Sequence, residues 1–273
     1  MTAESPYIRL HFENDLIIYP LVCMHVGAPQ CDYQFLREHV QRIADDPHAR
    51  WVYMGDGGEC VTKHSKGSIY EQLLSPQAQL EVVTDLLRPI QGKGLFGIRG
   101  NHGHRVYKET GLSFDNSLCH WLGVPYLGVA AMAYMEVGDV NYSAYFHHGI
   151  ESGISLRSKI ASAENMAKFV NADAIFTAHS HVAMELTPAP LLEVDSRNKK
   201  LRTKLRHQYI CGCAYDSRTG YAEEKGYPPL TPSYVSVRFS TVRHLQTYTR
   251  YASDLSYTLD HSYVSKYHSK REE

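Results

Sequence analysis

Five times along this chain an apolar run stops abruptly in a turn of small residues, and each turn presents a side chain able to bind metal. "LIIYPLVCM" leads to Cys23 and His25, "ARWVYMGDGGE" to Asp56, and "GLFGIRGNHGHR" to Asn101 and His102. "YFHHG" offers His147 and His148, and "DAIFTAHSH" ends in His179 and His181. A lone Gly-Asp after a strand is usually just a turn. Five such ends in order, each separated by enough chain for a crossover, are hard to ascribe to packing. α/β sheets place their chemistry at strand C-termini, and Gly55, Gly100 and Gly149 permit the sharp turns and close backbone approach this needs.

The intervening segments fit that scheme. The run 16–24 reads as a strand, followed by a helix over 31–46 with Asp32 as N-cap and Phe35, Leu36, Val40 and Ile43 on one face. A short buried strand at 51–54 precedes a helix over 76–90 that opens with Pro76. The segment through "GIRGNHGHR" reads as strand and glycine turn, with a helix within 114–122 and strands within 130–136 and 142–147. A helix over 157–172 leads to a strand at 173–178. Beyond residue 190 the pattern turns β-rich, with alternation over 200–211, 233–240 and 243–251, and the polar tail 261–273 is expected to fray.

The order and spacing of the five turns resemble the calcineurin-like metallophosphoesterases, whose motifs run D-x-H, G-D, G-N-H, H-G and G-H-x-H. Here they stand as Cys23-Met24-His25, Gly55-Asp56, Gly100-Asn101-His102, His148-Gly149 and Ala178-His179-Ser180-His181, spanning residues 17–182. The flanking text "GDGGE", "YEQLLSPQAQLE" and "YAEEKGYPPL" is similar to bacteriophage-encoded versions. The resemblance implies an α/β fold, a four-layer α-β-β-α sandwich, in a single domain over 1–273. Residues 190–260 would complete the sandwich, cap the site or bind a partner.

It also implies two divalent ions, Mn²⁺, Zn²⁺ or Fe²⁺, gripping a phosphate and activating a bridging water. Asp56 would bridge both ions. Asn101, His148 and His179 would complete one, and the Cys23 position, His25 and His181 the other. His102 would act on the phosphate rather than on metal, stabilising developing charge or protonating the leaving oxygen. The pattern favours His148 over its neighbour His147, which becomes a supporting or packing residue. Glu59, three after Asp56, either hydrogen-bonds the site or a water of the metal shell, or is a solvated turn carboxylate; His64, His104 and Arg105 follow motif loops, where they either contact substrate or serve as ordinary polar residues.

Two departures stand out. Ala178 replaces a glycine, which is tolerable if its φ is negative. Cys23 replaces the first aspartate, and a soft thiolate favours Zn²⁺ or Fe²⁺ over Mn²⁺ or Mg²⁺. Either Cys23 binds as thiolate, or it does not bind and His25, Asp56 and His181 hold a weak first ion. Substitution by Asp32 or Glu59 ranks below both.

The implied reaction is hydrolysis of a phosphoester, with nucleic-acid or nucleotide phosphodiesters favoured by Lys63, Lys66, Arg99, Arg105, Arg157 and Lys159 near the loops. A hydrolase of a nucleotide-linked lipid precursor is the alternative, although 105–135 is weakly apolar for an acyl-binding cap. A catalytically impaired member binding phosphate or protein is another.

Bulk properties narrow the rest. Formal net charge is −1 over 273 residues, so no global basic field advertises nucleic acid. No apolar run approaches the roughly 20 residues of a membrane span, and no basic-then-apolar leader opens the chain. Six cysteines in a chain this long read as reduced thiols of a cytoplasmic protein, in host cytoplasm if phage-encoded. Cys211 and Cys213, without a second pair, read as packed thiols rather than a zinc clip. Oligomeric state is not legible.

Overall fold

The computed structural model describes residues 7–65, 67–150, 153–218, 220–224, 226, 228–252 and 267. In chain order its elements are β1 (Tyr7–Phe12), β2 (Leu16–Leu21), α1 (Tyr33–Asp45), β3 (Ala49–Tyr53), α2 (Pro76–Leu87), β4 (Gly94–Gly97), α3 (Asn101–Thr110) and α4 (Phe114–Trp121). They continue with β5 (Ala130–Val137), β6 (Val140–His147), α5 (Leu156–Ala167), β7 (Ala174–Thr177), β8 (Ala183–Asp195) and β9 (Lys200–Cys213). A short α6 (Tyr221–Glu224), β10 (Ser233–Phe239) and β11 (Leu245–Tyr251) close the series.

The fold is mixed α/β around one large curled sheet, ordered β1-β5-β6-β7-β9-β10-β2-β3-β4, with β8 added to β9 and β11 to β10. β10 makes the turn between the two halves. Its first residues pair with Cys213 and Gly212 of β9, and its last with Leu16, Ile17 and Ile18 of β2. The halves thus face each other as layers. Phe96 of β4 meets Phe146 of β6 edge-on, and Phe146 stacks on Phe176 of β7. Helices α1 and α4 lie against β3 and β4, with α2 beside them, while α5 lies against β9.

Local chemistry sets the helix ends. The Asp32 carboxylate accepts the Phe35 N–H, as its N-cap reading requires, and Phe35, Leu36, Val40 and Ile43 are buried. α2 begins at Pro76 behind the Ser75 cap, but ends at Leu87, short of 90, because Pro89 tightens the chain into a 3₁₀ turn over Arg88–Lys93. α5 starts one residue early behind Ser155 and ends at Ala167, five short of expectation.

Three elements differ from the sequence reading. Residues after Gly100 form α3 rather than a loop; only Gly103 and Val106 on it are buried, so no apolar stripe signalled it. β1 alternates exposed and half-buried residues along the sheet edge beside β5, and β8 starts at Ala183, before the β-rich region expected beyond residue 190. The tail 261–273 lies outside the described residues except Tyr267, which is buried and donates to Asp85 Oδ2 at 2.7 Å.

Candidate metal centre

Strand direction brings the five turns to one end of the molecule. β2, β3 and β4 run parallel, and so do β6, β7 and β9. β10 is antiparallel to both β2 and β9, so the two sets share a direction. Their C-terminal ends carry Cys23 and His25, Asp56, Asn101 and His102, His148, and His179 and His181.

The loops are locked together by backbone contacts. Cys23 N–H donates to the Gly55 carbonyl, and His25 N–H to that of Asp56, both at 3.1 Å. Gly55, at φ +91°, sits so close to Gly100 that a Cβ there would lie 2.3 Å from the Gly100 Cα. A Cβ on Gly100 would in turn lie 2.2 Å from Asp56 Oδ1. Both glycines are therefore demanded by close approach. Ala178 avoids positive φ, so its replacement of glycine costs nothing there.

Backbone strain collects at the same place. Cys23, His25, Asp56, His179 and His181 all hold φ between 46° and 66°, a region that side-chain-bearing residues avoid at a cost of about 1–3 kcal/mol each. Among the described residues only Cys60, Lys199 and Arg243 share it without being sequence-predicted ligands.

Protonation at His148 is fixed by its neighbours. Nδ1 donates to the Met54 carbonyl at 2.6 Å, so in the neutral ring Nε2 is a bare lone pair. That lone pair lies 2.9 Å from both Asn101 Oδ1 and Asp56 Oδ2. Three electron-pair donors thus converge, and Asp56 Oδ2 is buried without a hydrogen bond among the described residues. Burial alone would raise the Asp56 carboxyl; the His148, His102 and His25 rings around it hold it well below the usual range. Asp56 reciprocally lifts His148 against its burial.

The second cluster repeats the pattern. His25 Nδ1 lies 2.7 Å from Glu59 Oε2, which fixes the ring's proton there and turns Nε2 inward. Nε2 meets His181 Nε2 at 3.0 Å. Two imidazole nitrogens on one ion, with bonds of about 2.0–2.1 Å, come equally close. Burial pushes His181 well down, helped by the His25 ring beside it. Cys23 Sγ groups within 4.8 Å with the donor atoms of His25 and His181, and separately with those of Asp56 and His148. Burial, then Asp56, pushes this thiol well up. His179 sits with its ring centroid 5.4 Å from that of His148, and its Nδ1 is buried without a partner among the described residues.

Orphaned carboxylate and imidazole atoms, lone pairs facing one another, and a donor set of sulfur, nitrogen and oxygen together fit divalent metal. The structure separates the two adjacent histidines. His148 points inward, whereas His147 accepts the Gly149 N–H and lies 6.4 Å from Tyr145 on the opposite face.

His102 is held between the Glu59 loop and Arg105. Its Nδ1 donates to the Glu59 carbonyl at 2.7 Å, and the Arg105 guanidinium lies along the ring, 3.1 Å from Nε2 and 3.2 Å from Nδ1. Burial drops its pKa to about 4, so the ring is neutral and the cation beside it is Arg105. His104 instead stacks on Tyr107, with ring centroids 5.5 Å apart. Cys211 and Cys213 are packed thiols; Cys213 Sγ lies against the carbonyls of His181 and Tyr215. Asp32 is spent as the α1 cap. Lys66 lies outside the described residues.

Sequence reasoning passed over one supporting pair. Tyr53 hydroxyl donates to Asp115 Oδ1 at 2.6 Å and accepts the Gly57 N–H at 2.9 Å. Asp115 Oδ2 accepts the Gly100 N–H, so this pair ties the Asp56 loop to the Asn101 loop. Burial, with Asp56 nearby, lifts Asp115 to about 7. Neither residue stands out in sequence: one reads as a core strand tyrosine, the other as an acid in a helix's first turn.

No family model and no curated protein matches the chain. Among solved structures it is similar to Vps29 from Chaetomium thermophilum, at 11% identity and TM-score 0.42, over 86% of this chain and 97% of that one. Vacuolar Protein Sorting 29 from Cryptosporidium parvum gives 12% and 0.44, over 88% and 100%. A single mutant of Vps29 from Entamoeba histolytica gives 10% and 0.43, over 87% and 100%. Similarity at this level carries no weight for the chemistry, which rests on the residues themselves. No helix among the described residues is long and apolar enough to cross a membrane.

Proposed function

We propose that this chain is a dinuclear metal-dependent phosphoesterase of the calcineurin-like kind, acting on phosphodiesters of nucleic acid or nucleotide. The observation that carries it is the bare His148 Nε2 facing Asn101 Oδ1 and a partnerless Asp56 Oδ2. The convergence calls for a cation, met either by a proton on His148, which Asp56 favours, or by a metal ion.

Asp56 would be shared between the two clusters, with Asn101, His148 and His179 on one side and Cys23, His25 and His181 on the other. Bound divalent ions supply positive charge to the phosphoryl oxygens and lower the pKa of the attacking water. Glu59 keeps His25 in the tautomer that presents Nε2. Arg105, held 3.1 Å from His102 Nε2, gives a fixed cation for a non-bridging phosphate oxygen. His102 positions that guanidinium and, beside the phosphate, would stabilise developing charge or protonate the leaving oxygen.

The buried Cys23 favours a second reading, a single-ion member that binds phosphate without turnover, because a thiol replaces a hard oxygen ligand. Hydrolysis of bis(p-nitrophenyl) phosphate with Mn²⁺ or Zn²⁺ separates the two. The enzyme reading expects metal-dependent turnover that falls at least a hundredfold in Asp56→Asn. A folded, metal-loaded protein without turnover would leave the binding reading.

A further inference from the structure

At the end of the molecule opposite the metal loops, β8 and β9 run on as a two-stranded ribbon beyond Ala174, where β7 stops pairing with β9. Side chains alternate faces along β9. Tyr209 belongs to the inner face, stacked against Phe176 in the core between the layers. His207, Leu205, Thr203 and Leu201 follow it on that face by twos. Across the ladder they are joined by Pro190, Leu192 and Val194, which pair with Leu205, Thr203 and Leu201.

This stretch of inner face has no layer opposite it among the described residues. Leu192 is 71% exposed, Val194 73%, Leu201 68% and Leu205 54%. The outer face is the charged one. There Arg202 pairs with Glu193, Lys204 with Asp173, and Arg206 donates to the Ala167 carbonyl. The ribbon therefore turns its ion-paired side to the body and its apolar side to solvent. Isolated two-stranded ribbons are marginal in water and need a further layer.

We propose that this face pairs with the same face of a second copy, two ribbons packing antiparallel to form a small sandwich. Charge sets the direction. The turn at the tip carries Arg197 and Lys199, with Asp195 and Lys200 on the opposite face, while the root of the apolar face carries Glu185, 3.1 Å from His207. An antiparallel two-fold arrangement lays each basic tip over the other copy's Glu185, whereas a parallel one sets tip against tip. The four exposed aliphatics with Pro190 and Thr203 offer roughly 600 Å² per copy, about 1,200 Å² in total, the lower bound of specific interfaces.

Strand addition is the poorer mode, because Pro188 and Pro190 deprive β8 of N–H groups for a further strand. A lipid surface is also the poorer occupant, since the ribbon from Ala189 to Arg206 carries no Trp, Tyr or Phe to sit in an interface.

Sedimentation velocity on the full chain between 5 and 100 μM tests the pairing, alongside carbodiimide crosslinking of a mixture of ¹⁴N- and ¹⁵N-labelled protein. The expected result is a dimer whose dissociation constant rises at least tenfold in Leu192→Glu/Leu201→Glu, with unchanged circular dichroism and metal content. Mixed-isotope crosslinks joining Glu185 to Lys199 are expected in the unmodified protein. A monomer throughout the range overturns the proposal, as does a dimer indifferent to the substitutions. Binding of the monomer to anionic vesicles, lost in the variant, would overturn it in favour of a membrane.

Discussion

His148 and Asp56 meet at 2.9 Å, with the imidazole's Nδ1 proton committed to the Met54 carbonyl. In the neutral ring this is an encounter of two electron-pair donors, and it places His148, not His147, at the centre of the site. His148→Ala is therefore expected to lose at least one bound ion and nearly all turnover. His147→Ala, which loses only an acceptor for the Gly149 N–H, should keep its metal content and most of its rate. Metal analysis of the two purified variants checks this.

The contact between Gly55 and Gly100 makes a sharper structural prediction. Gly55→Ala combines positive φ with a 2.3 Å clash against backbone, so it should cost about 4 kcal/mol or more. Gly92 has open space around it, and Gly92→Ala should stay within about 0.5 kcal/mol. Urea unfolding of both variants measures the contrast.

His39 predicts a pH dependence away from the metal loops. It is buried against Tyr19, Phe35 and Tyr234, with neither ring nitrogen partnered among the described residues. Burial, then the Arg250 and Arg42 charges, lowers its pKa to about 3. Below the ordinary value near 6.5 the unfolded chain takes up a proton that the folded one refuses, so stability falls with pH between about 6.5 and 3. His39→Leu should remove this penalty. Relative to the unmodified protein, it should gain about 2 kcal/mol between pH 7.5 and pH 5. Denaturant titrations at both pH values read that difference directly.

Cys23 carries the prediction on which the choice of metal turns. Burial keeps it a thiol in the absence of an ion, and a bound divalent ion would deprotonate it. The Co²⁺-loaded protein should show a thiolate-to-cobalt charge-transfer band in the near ultraviolet that Cys23→Ser lacks. Cys23→Asp should bind Mn²⁺ at least tenfold more tightly. Equal spectra for the native and Ser forms would mean that sulfur is not a ligand.

Most of the strand-and-turn scheme was legible because its signals are local. Apolar runs ending in glycine mark strand ends, and Asp32 and Pro76 mark helix starts through the backbone groups they satisfy or lack. Choosing between His147 and His148 was within reach too, since alternation from buried Phe146 puts His148 on the inward side. What escaped depends on contacts distant in sequence. Tyr53 and Asp115 lie 62 residues apart, and only the fold makes them one unit. α3 was hidden because its outward face is polar, and the contact of Arg105 with His102 appears only once that helix sets them one turn apart. The β-rich last third could be counted but not placed, since β10's pairing with both β2 and β9 leaves no mark in its alternation.

The central claim is that the converging donors are a metal centre shared through Asp56. Equilibrium dialysis of metal-stripped protein against Zn²⁺, with the bound ion counted by mass spectrometry, tests it most directly. Two ions per chain are expected for the native protein and no more than one for Asp56→Asn. A folded native protein that retains no ion would contradict the account.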